Sequence, residues 1–210
     1  MDRFAAKIAA FGALLMTLSL SACGKQKSAS TSPRVINVAL LPIGKLEKRV
    51  LDTATKSIKQ TYGVEVTLLH ASAPPKIAYY KPRGRYRADI ILDWINETQP
   101  KRFQKVIAIT NYDVSTTNGK IYDWGVFGLG QVGGKACVVS TFRLRAGNVS
   151  EQKFLWRFSQ TIAHEFGHTL GLPHCPNPLC LMADAKGTIK TVDAAKNELC
   201  KQCKQKIGLR

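Results

Sequence analysis

Residues 161–182, TIAHEFGHTLGLPHCPNPLCLM, hold the densest chemistry in the chain. His164 and His168 stand four apart with Glu165 between them, and His174 follows three residues after Gly171. Residues four apart on a helix lie one turn apart on one face, so both imidazoles can reach the same metal ion. Gly171 has no Cβ and can end that helix at positive φ, letting the chain turn and bring His174 back. Three neutral imidazoles suit zinc and leave a fourth tetrahedral position for water, whose pKa zinc lowers to about 7. Glu165, beside the first ligand, is placed to take the proton and return it to a leaving amine. H-E-x-x-H alone is a modest signal. Here three of only four histidines fall in the pattern, which lifts it well above chance. The fourth, His70, has no evident role.

Directly after His174 come Cys175, Cys180, Cys200 and Cys203, as C-x4-C and C-x2-C pairs. Four thiolates at these spacings can close a structural zinc tetrahedron. In an exported protein the same four can instead form two disulfides. Spacing alone leaves both open. Cys137 sits in an apolar stretch and reads as a buried thiol that packs like a small hydrophobe.

Joined together, H-E-x-x-H-x-x-G-x-x-H-C-x4-C-x-M-x17-C-x-x-C resembles the signature of the archaemetzincin family of metalloproteases. Every fixed position is present between His164 and Cys203. The resemblance implies a small metzincin-like α/β domain and a peptidase acting on peptide or protein substrates. It implies a catalytic zinc on His164, His168 and His174, with Glu165 as general base. It also implies a structural zinc on Cys175, Cys180, Cys200 and Cys203, hence two zincs per chain. Met182 would be the Met-turn methionine, an apolar floor beneath the catalytic metal. The residues after it, ADAKGTIK, lack the tyrosine that some other metzincins hold near the metal, so no oxyanion stabiliser is assigned.

The elements that must position these groups can be read from periodicity. Ser150 is suited to cap the helix that carries the histidines. On that helix Leu155, Ile162 and Phe166, flanked by Phe158 and Leu170, form an apolar stripe opposite His164 and His168. Gly167 and Gly171 fall on the histidine side, where small residues leave room. Upstream, residues 35–41, 64–69 and 105–110 read as strands, and residues 46–58 and 88–97 as helices. Residues 71–87 read as loop, with Tyr79, Tyr80 and Tyr86 packed in it. Residues 120–128 and 135–143 read as a paired ribbon across a glycine-rich connection. The expected fold is α/β: a small mixed twisted sheet with an antiparallel edge strand, packed on helices, with a zincin-type active-site helix and a cysteine-rich C-terminal zinc subsite. Such an edge can receive an extended peptide by strand addition.

The amino terminus reads as an address. Arg3 and Lys7 precede an apolar run over residues 8–20, too short to span a bilayer but right for a signal-peptide core. The sequence LSACG that follows resembles a bacterial lipobox. The expected organisation is a lipoprotein signal peptide at 1–22, a tether at 23–34 beginning with lipidated Cys23, and the metalloprotease-like domain at 35–210. The expected location is the bacterial cell envelope, with the lipid anchor in a membrane. Gly24 offers no inner-membrane retention signal, which leans toward the outer membrane. With 31 Lys+Arg against 14 Asp+Glu, the net charge of +17 favours an anionic envelope partner, while no motif points to specific nucleic-acid binding. A monomer is expected. The rival reading is a catalytically silent peptide- or envelope-binding lipoprotein on a metalloprotease fold. Glu165 argues against it, because a pure binder needs no general base.

Overall fold

The computed structural model describes residues 36–209; the expected signal peptide at 1–22, the expected tether at 23–34 with Cys23, Val35 and Arg210 lie outside the described residues. In chain order the elements are β1 (Val38–Ile43), α1 (Lys48–Tyr62), β2 (Val66–Leu68), β3 (Tyr79–Tyr80), β4 (Arg85–Arg87), α2 (Ala88–Thr98), β5 (Lys105–Thr110), β6 (Val114–Asn118), β7 (Ile121–Val126), β8 (Gly128–Gly130), β9 (Ala136–Ser140), α3 (Glu151–Thr169), α4 (Ile189–Ala194) and α5 (Lys201–Lys206). The main sheet runs β2-β1-β5-β9-β8. Its first four strands are parallel, and β8 is an antiparallel edge paired to β9.

The continuous apolar runs of β1, β5 and β9 follow from burial on both faces. Val38, Leu40, Ile107, Ile109, Cys137 and Val139 face one core, shared with α1 and α3. Their neighbours Ala39, Leu41, Val106, Ala108 and Val138 face the other, shared with α2. Each large side chain fully buried this way contributes about 1.5–3 kcal/mol. Cys137 is fully buried in this sheet, where desolvation raises its pKa, as a packing thiol should be.

Two expectations need correction. Residues 71–87 are not simply loop: β3 and β4 join β6 and β7 in a second sheet, ordered β3-β4-β6-β7. This small sheet is stitched by charge rather than by an apolar stripe, so hydropathy does not reveal it. Buried Arg85 lies 3.1 Å from both Asp113 and Asp123, and Arg143 holds Asp113 at 2.6 and 3.0 Å. Tyr86 packs between Tyr79 and Tyr112 with ring centres 5.1 and 5.0 Å away. The stretch 120–128 is also not one strand. It divides at Phe127: β7 pairs antiparallel with β6, and only β8 pairs with β9.

The long helix α3 starts at Ser150, whose side chain accepts from the Lys153 backbone N–H at 3.2 Å. Its buried stripe is Phe154, Phe158, Ile162 and Phe166; Leu155 is only half-buried and Phe154 takes the place assigned to it. Lys105 fastens the other end, donating to the Thr169 carbonyl at 2.6 Å, where the carbonyls of a helix terminus lack partners. Among the described residues no helix is long and apolar enough to cross a membrane.

Candidate metal centres

Helix α3 fixes His164 and His168, and both rings are oriented by backbone. The Nδ1 of His164 lies 2.8 Å from the Leu181 carbonyl, and that of His168 lies 2.7 Å from the Leu172 carbonyl. A carbonyl can only accept, so both Nδ1 atoms carry the proton and both Nε2 atoms present lone pairs. Those Nε2 atoms converge to 3.0 Å. Two lone pairs facing at that distance repel unless a cation lies between them. Tetrahedral zinc with N ligands at about 2.0–2.1 Å would hold its nitrogens at a separation of this order. Burial, followed by the neighbouring His168, pulls the His164 pKa down to about 4, so the ring is neutral and ready to ligate at pH 7. Burial lowers that of His168 too.

His174 completes the set. Gly171 takes φ 94° just past the helix end, and the Leu172 N–H returns to the Gly167 carbonyl at 3.1 Å. The turn brings a ligand atom of His174 within 4.8 Å of those of His164 and His168. Its side chain is half exposed, and Nδ1 stands 3.9 Å from an Asp184 carboxylate oxygen.

Glu165 is buried against β8. Burial raises its pKa to about 8, and a hydrogen bond from the Gly130 backbone N–H opposes the rise. A dication close by would draw that proton off. The close approach of β8 depends on glycine. A Cβ at Gly128 would lie 2.7 Å from Glu165 Cγ, and one at Gly130 would lie 2.3 Å from the Glu165 carbonyl oxygen. The sequence pattern puts Gly128 at the end of a strand and Gly130 in the connection after it, whereas both belong to β8. The available signal was two glycines spaced i, i+2, which share one face of a strand and admit a neighbouring backbone.

On the helix's other flank, Met182 is fully buried. A Cβ at Gly167 would lie 2.6 Å from the Met182 sulfur and 2.7 Å from the Tyr62 hydroxyl. The space that Gly167 leaves is therefore filled by Met182 and by Tyr62, whose hydroxyl donates to the Ala163 carbonyl at 2.6 Å.

The four C-terminal cysteines form a second cluster, and all four are free thiols. Cys175 and Cys200 sulfurs are 3.8 Å apart, as are those of Cys180 and Cys203. That is far beyond a disulfide bond of about 2.05 Å. It matches the edge of a tetrahedron with Zn–S of about 2.3 Å. Backbone N–H groups of Cys200 and Met182 point at the Cys180 sulfur, at 3.3 and 3.5 Å. Hydrogen bonds to sulfur, first from the Cys203 backbone, draw Cys200 down to about 7, while burial pushes Cys203 up. The donor set therefore fits a soft divalent cation.

The two clusters share backbone. Cys175 N–H donates to the Met182 carbonyl at 2.8 Å, and the intervening Leu181 orients His164. A cleft of about 740 Å³ opens over His164, Glu165, His168 and His174, bounded by β8 on one side and α4 on the other.

A helix bearing two convergent imidazoles, a third returned by the following turn, and a buried carboxylate under an edge strand are the parts of a zinc metallopeptidase. The family model of peptidase family M54 matches residues 34–208. The archaemetzincin of Halobacterium salinarum is 32% identical over 179 residues, covering 82% of this chain and 99% of that protein. That of Natronomonas pharaonis is 33% identical with the same coverage. Among solved structures, the archaemetzincin of Methanopyrus kandleri aligns with a TM-score of 0.71 at 26% identity, covering 82% of this chain and 93% of that one. The archaemetzincin of Archaeoglobus fulgidus, complexed with malonate, aligns with a TM-score of 0.69 at 26% identity, covering 82% and 100%. The chain belongs to peptidase family M54, the archaemetzincins, and is a zinc-dependent metallopeptidase.

Proposed function

We propose that the chain hydrolyses peptide bonds at the cleft over α3, with His164, His168 and His174 as ligands of a catalytic zinc and Glu165 as general base. The observation that carries this reading is the convergence of the His164 and His168 Nε2 atoms at 3.0 Å beside a buried carboxylate. Zinc bound there supplies a Lewis acid and water with a pKa near 7. The edge strand β8 offers unpaired backbone groups to an extended substrate. Glu165 accepts a proton from the attacking water and passes it to the leaving amine nitrogen. The Gly130 N–H holds that carboxylate in place. The Leu181 and Leu172 carbonyls keep both imidazoles in the tautomer that leaves Nε2 free. Cys175, Cys180, Cys200 and Cys203 would hold a second, structural zinc, and Met182 would floor the first. The chain acts as a monomer in this reading.

The same reading places the domain in a bacterial envelope, anchored by lipid on Cys23 and carrying a basic surface toward anionic envelope components. The lipobox-like LSACG and the net charge of +17 support this. Incorporation of labelled fatty acid tests the anchor: Cys23→Ala should abolish it, and unchanged labelling would remove the claim. The decisive test of the catalytic reading is zinc stoichiometry together with peptide-library cleavage, wild type against Glu165→Gln. Two zincs per chain with cleavage confined to the wild type supports it. Equal cleavage by both proteins overturns it.

A further inference from the structure

The cleft runs past the metal-binding face toward the start of α3, and there it meets a polar group with nothing to bind. Gln160 lies four residues before His164, one helical turn away on the same face. It is 3% exposed and lines the cleft. Its amide orientation is settled by one contact: Nε2 donates to the Val192 carbonyl at 3.2 Å. The other end, Oε1, is buried and has no hydrogen-bond donor. A buried acceptor left unpaired costs about 1–3 kcal/mol. The Val192 contact accounts for the Nε2 end of the amide, while nothing among the described residues satisfies Oε1.

The surroundings suggest what would satisfy it. Thr161, Thr191, Val192, Ala195 and Trp124 line the same cleft. No residue of α4 is fully buried; this wall is held by the Gln160 contact, by Arg157 and Lys153 on Asp193 at 2.7–3.0 Å, and by Ile189 packed on the main core. The only carboxylates lining the cleft among the described residues are Glu165 and Asp184, and Asp184 lies by His174. An ammonium at the Gln160 end would find no countercharge, so the fitting donor is neutral.

We infer that Gln160 is a specificity-determining residue whose Oε1 accepts a hydrogen bond from an amide or hydroxyl side chain of the substrate, within two residues of the scissile bond. The four residues from Gln160 to His164 advance about 6 Å along the helix, and an extended peptide advances about 3.4 Å per residue, which sets that distance. The inference rests on the peptidase reading above for the position of the bond. A site that offers a buried acceptor rejects the apolar isostere, because binding it leaves the acceptor unpaired.

The test uses peptides identical except for Gln or Met at each of the two positions on either side of the cleaved bond. At one position the wild type should favour Gln over Met by about tenfold in kcat/KM. In Gln160→Met that ratio should fall to about one or invert, with zinc content retained. Gln160→Leu serves as the second variant if the first does not fold. A ratio unchanged by both substitutions, including a uniform loss on every peptide, would mean a structural role and overturn the inference. If the wild type cleaves no peptide, the peptidase reading fails by itself. Calorimetric binding of the same peptides to the Glu165→Gln protein, with and without the Gln160 substitution, then reads the same ratio. Absence of a Gln preference there overturns this inference separately.

Discussion

The two donor clusters meet at His174 and Cys175, neighbours in sequence, yet they are finished differently. The histidine cluster takes two ligands from one face of a 19-residue helix and a third, half-exposed His174, from the turn after it, and it opens to a cleft. Its protein partners are carbonyls that orient rings and a carboxylate poised beside them. The cysteine cluster draws its donors from the loop after α3 and from the start of α5. Cys180 and Cys203 are buried in the main core, backbone N–H groups point at sulfur, and no acid stands among the donors. An open site with a spare proton acceptor suits chemistry, while a closed one with only thiolates suits holding the chain together. The shared strand of backbone from Cys175 to Met182 lets the second cluster position the first.

The comparison breaks most sharply at Glu165. Glu165→Gln should lower kcat/KM by about 10²–10⁴ while leaving zinc content and melting temperature nearly unchanged. Activity within a few-fold of wild type would strip the histidine cluster of its distinguishing group. Next, metal loss should have opposite consequences at the two sites. Cys180→Ser should remove one zinc of two, measured by metal analysis, and cost several kcal/mol of stability. His168→Ala should also remove one zinc, abolish activity, and cost only about 1–3 kcal/mol in urea unfolding. Equal destabilisation by the two substitutions would erase the division into open and closed sites.

A smaller effect is expected at the edge strand. In Gly130→Ala the new Cβ would sit 2.3 Å from the Glu165 carbonyl oxygen and 2.9 Å from His168 Cβ, so β8 must move away from α3. Overpacking of this kind costs about 1–3 kcal/mol. The measurement that sharpens the contrast is activity per folded molecule. It should fall about tenfold, with thiol reactivity of the cysteine cluster unchanged. A change in thiol reactivity would show that the edge strand serves both clusters.

The sequence made the parts of this contrast legible unequally. The structure brings together the same seven donors: the histidines are legible from spacing, because H-x3-H is local geometry, whereas the joining of the two cysteine pairs across nineteen residues is legible only from the family resemblance. The three central parallel strands were legible from unbroken apolar runs such as KVIAIT at β5, which two buried faces demand. The small sheet was not, because Arg85 and Arg87 are buried there and carry no apolar signature; their partners Asp113, Asp123 and Asp89 come from other segments or from a turn. The division between β7 and β8 was hidden because hydropathy does not change at Phe127, where the chain leaves one sheet for the other. The carbonyls that orient His164 and His168 were invisible for a simpler reason: every residue has one, and only the fold decides which points at a ring. Gln160 lay outside the motif and drew no notice.

The last difference between the two regions is their response to acid. Asp193 on α4 is held by buried Arg157 and by Lys153, and these hydrogen bonds draw its pKa from 3.8 down to about 2. A carboxylate with a depressed folded-state pKa contributes stability that is complete above its unfolded value and lost as pH falls through the folded one. Asp193→Asn should therefore melt a few degrees below wild type at neutral pH. The gap should narrow between about pH 4 and pH 2, where wild-type Asp193 itself takes up a proton. Release of metal from imidazoles and thiolates on acidification occurs in both proteins and cancels in the difference. A gap that stays constant down to pH 2 would mean that the pair contributes through packing of the cleft wall and not through charge. A gap that closes would mark α4 as the acid-sensitive wall of the open site, with the closed site taking no part in that transition.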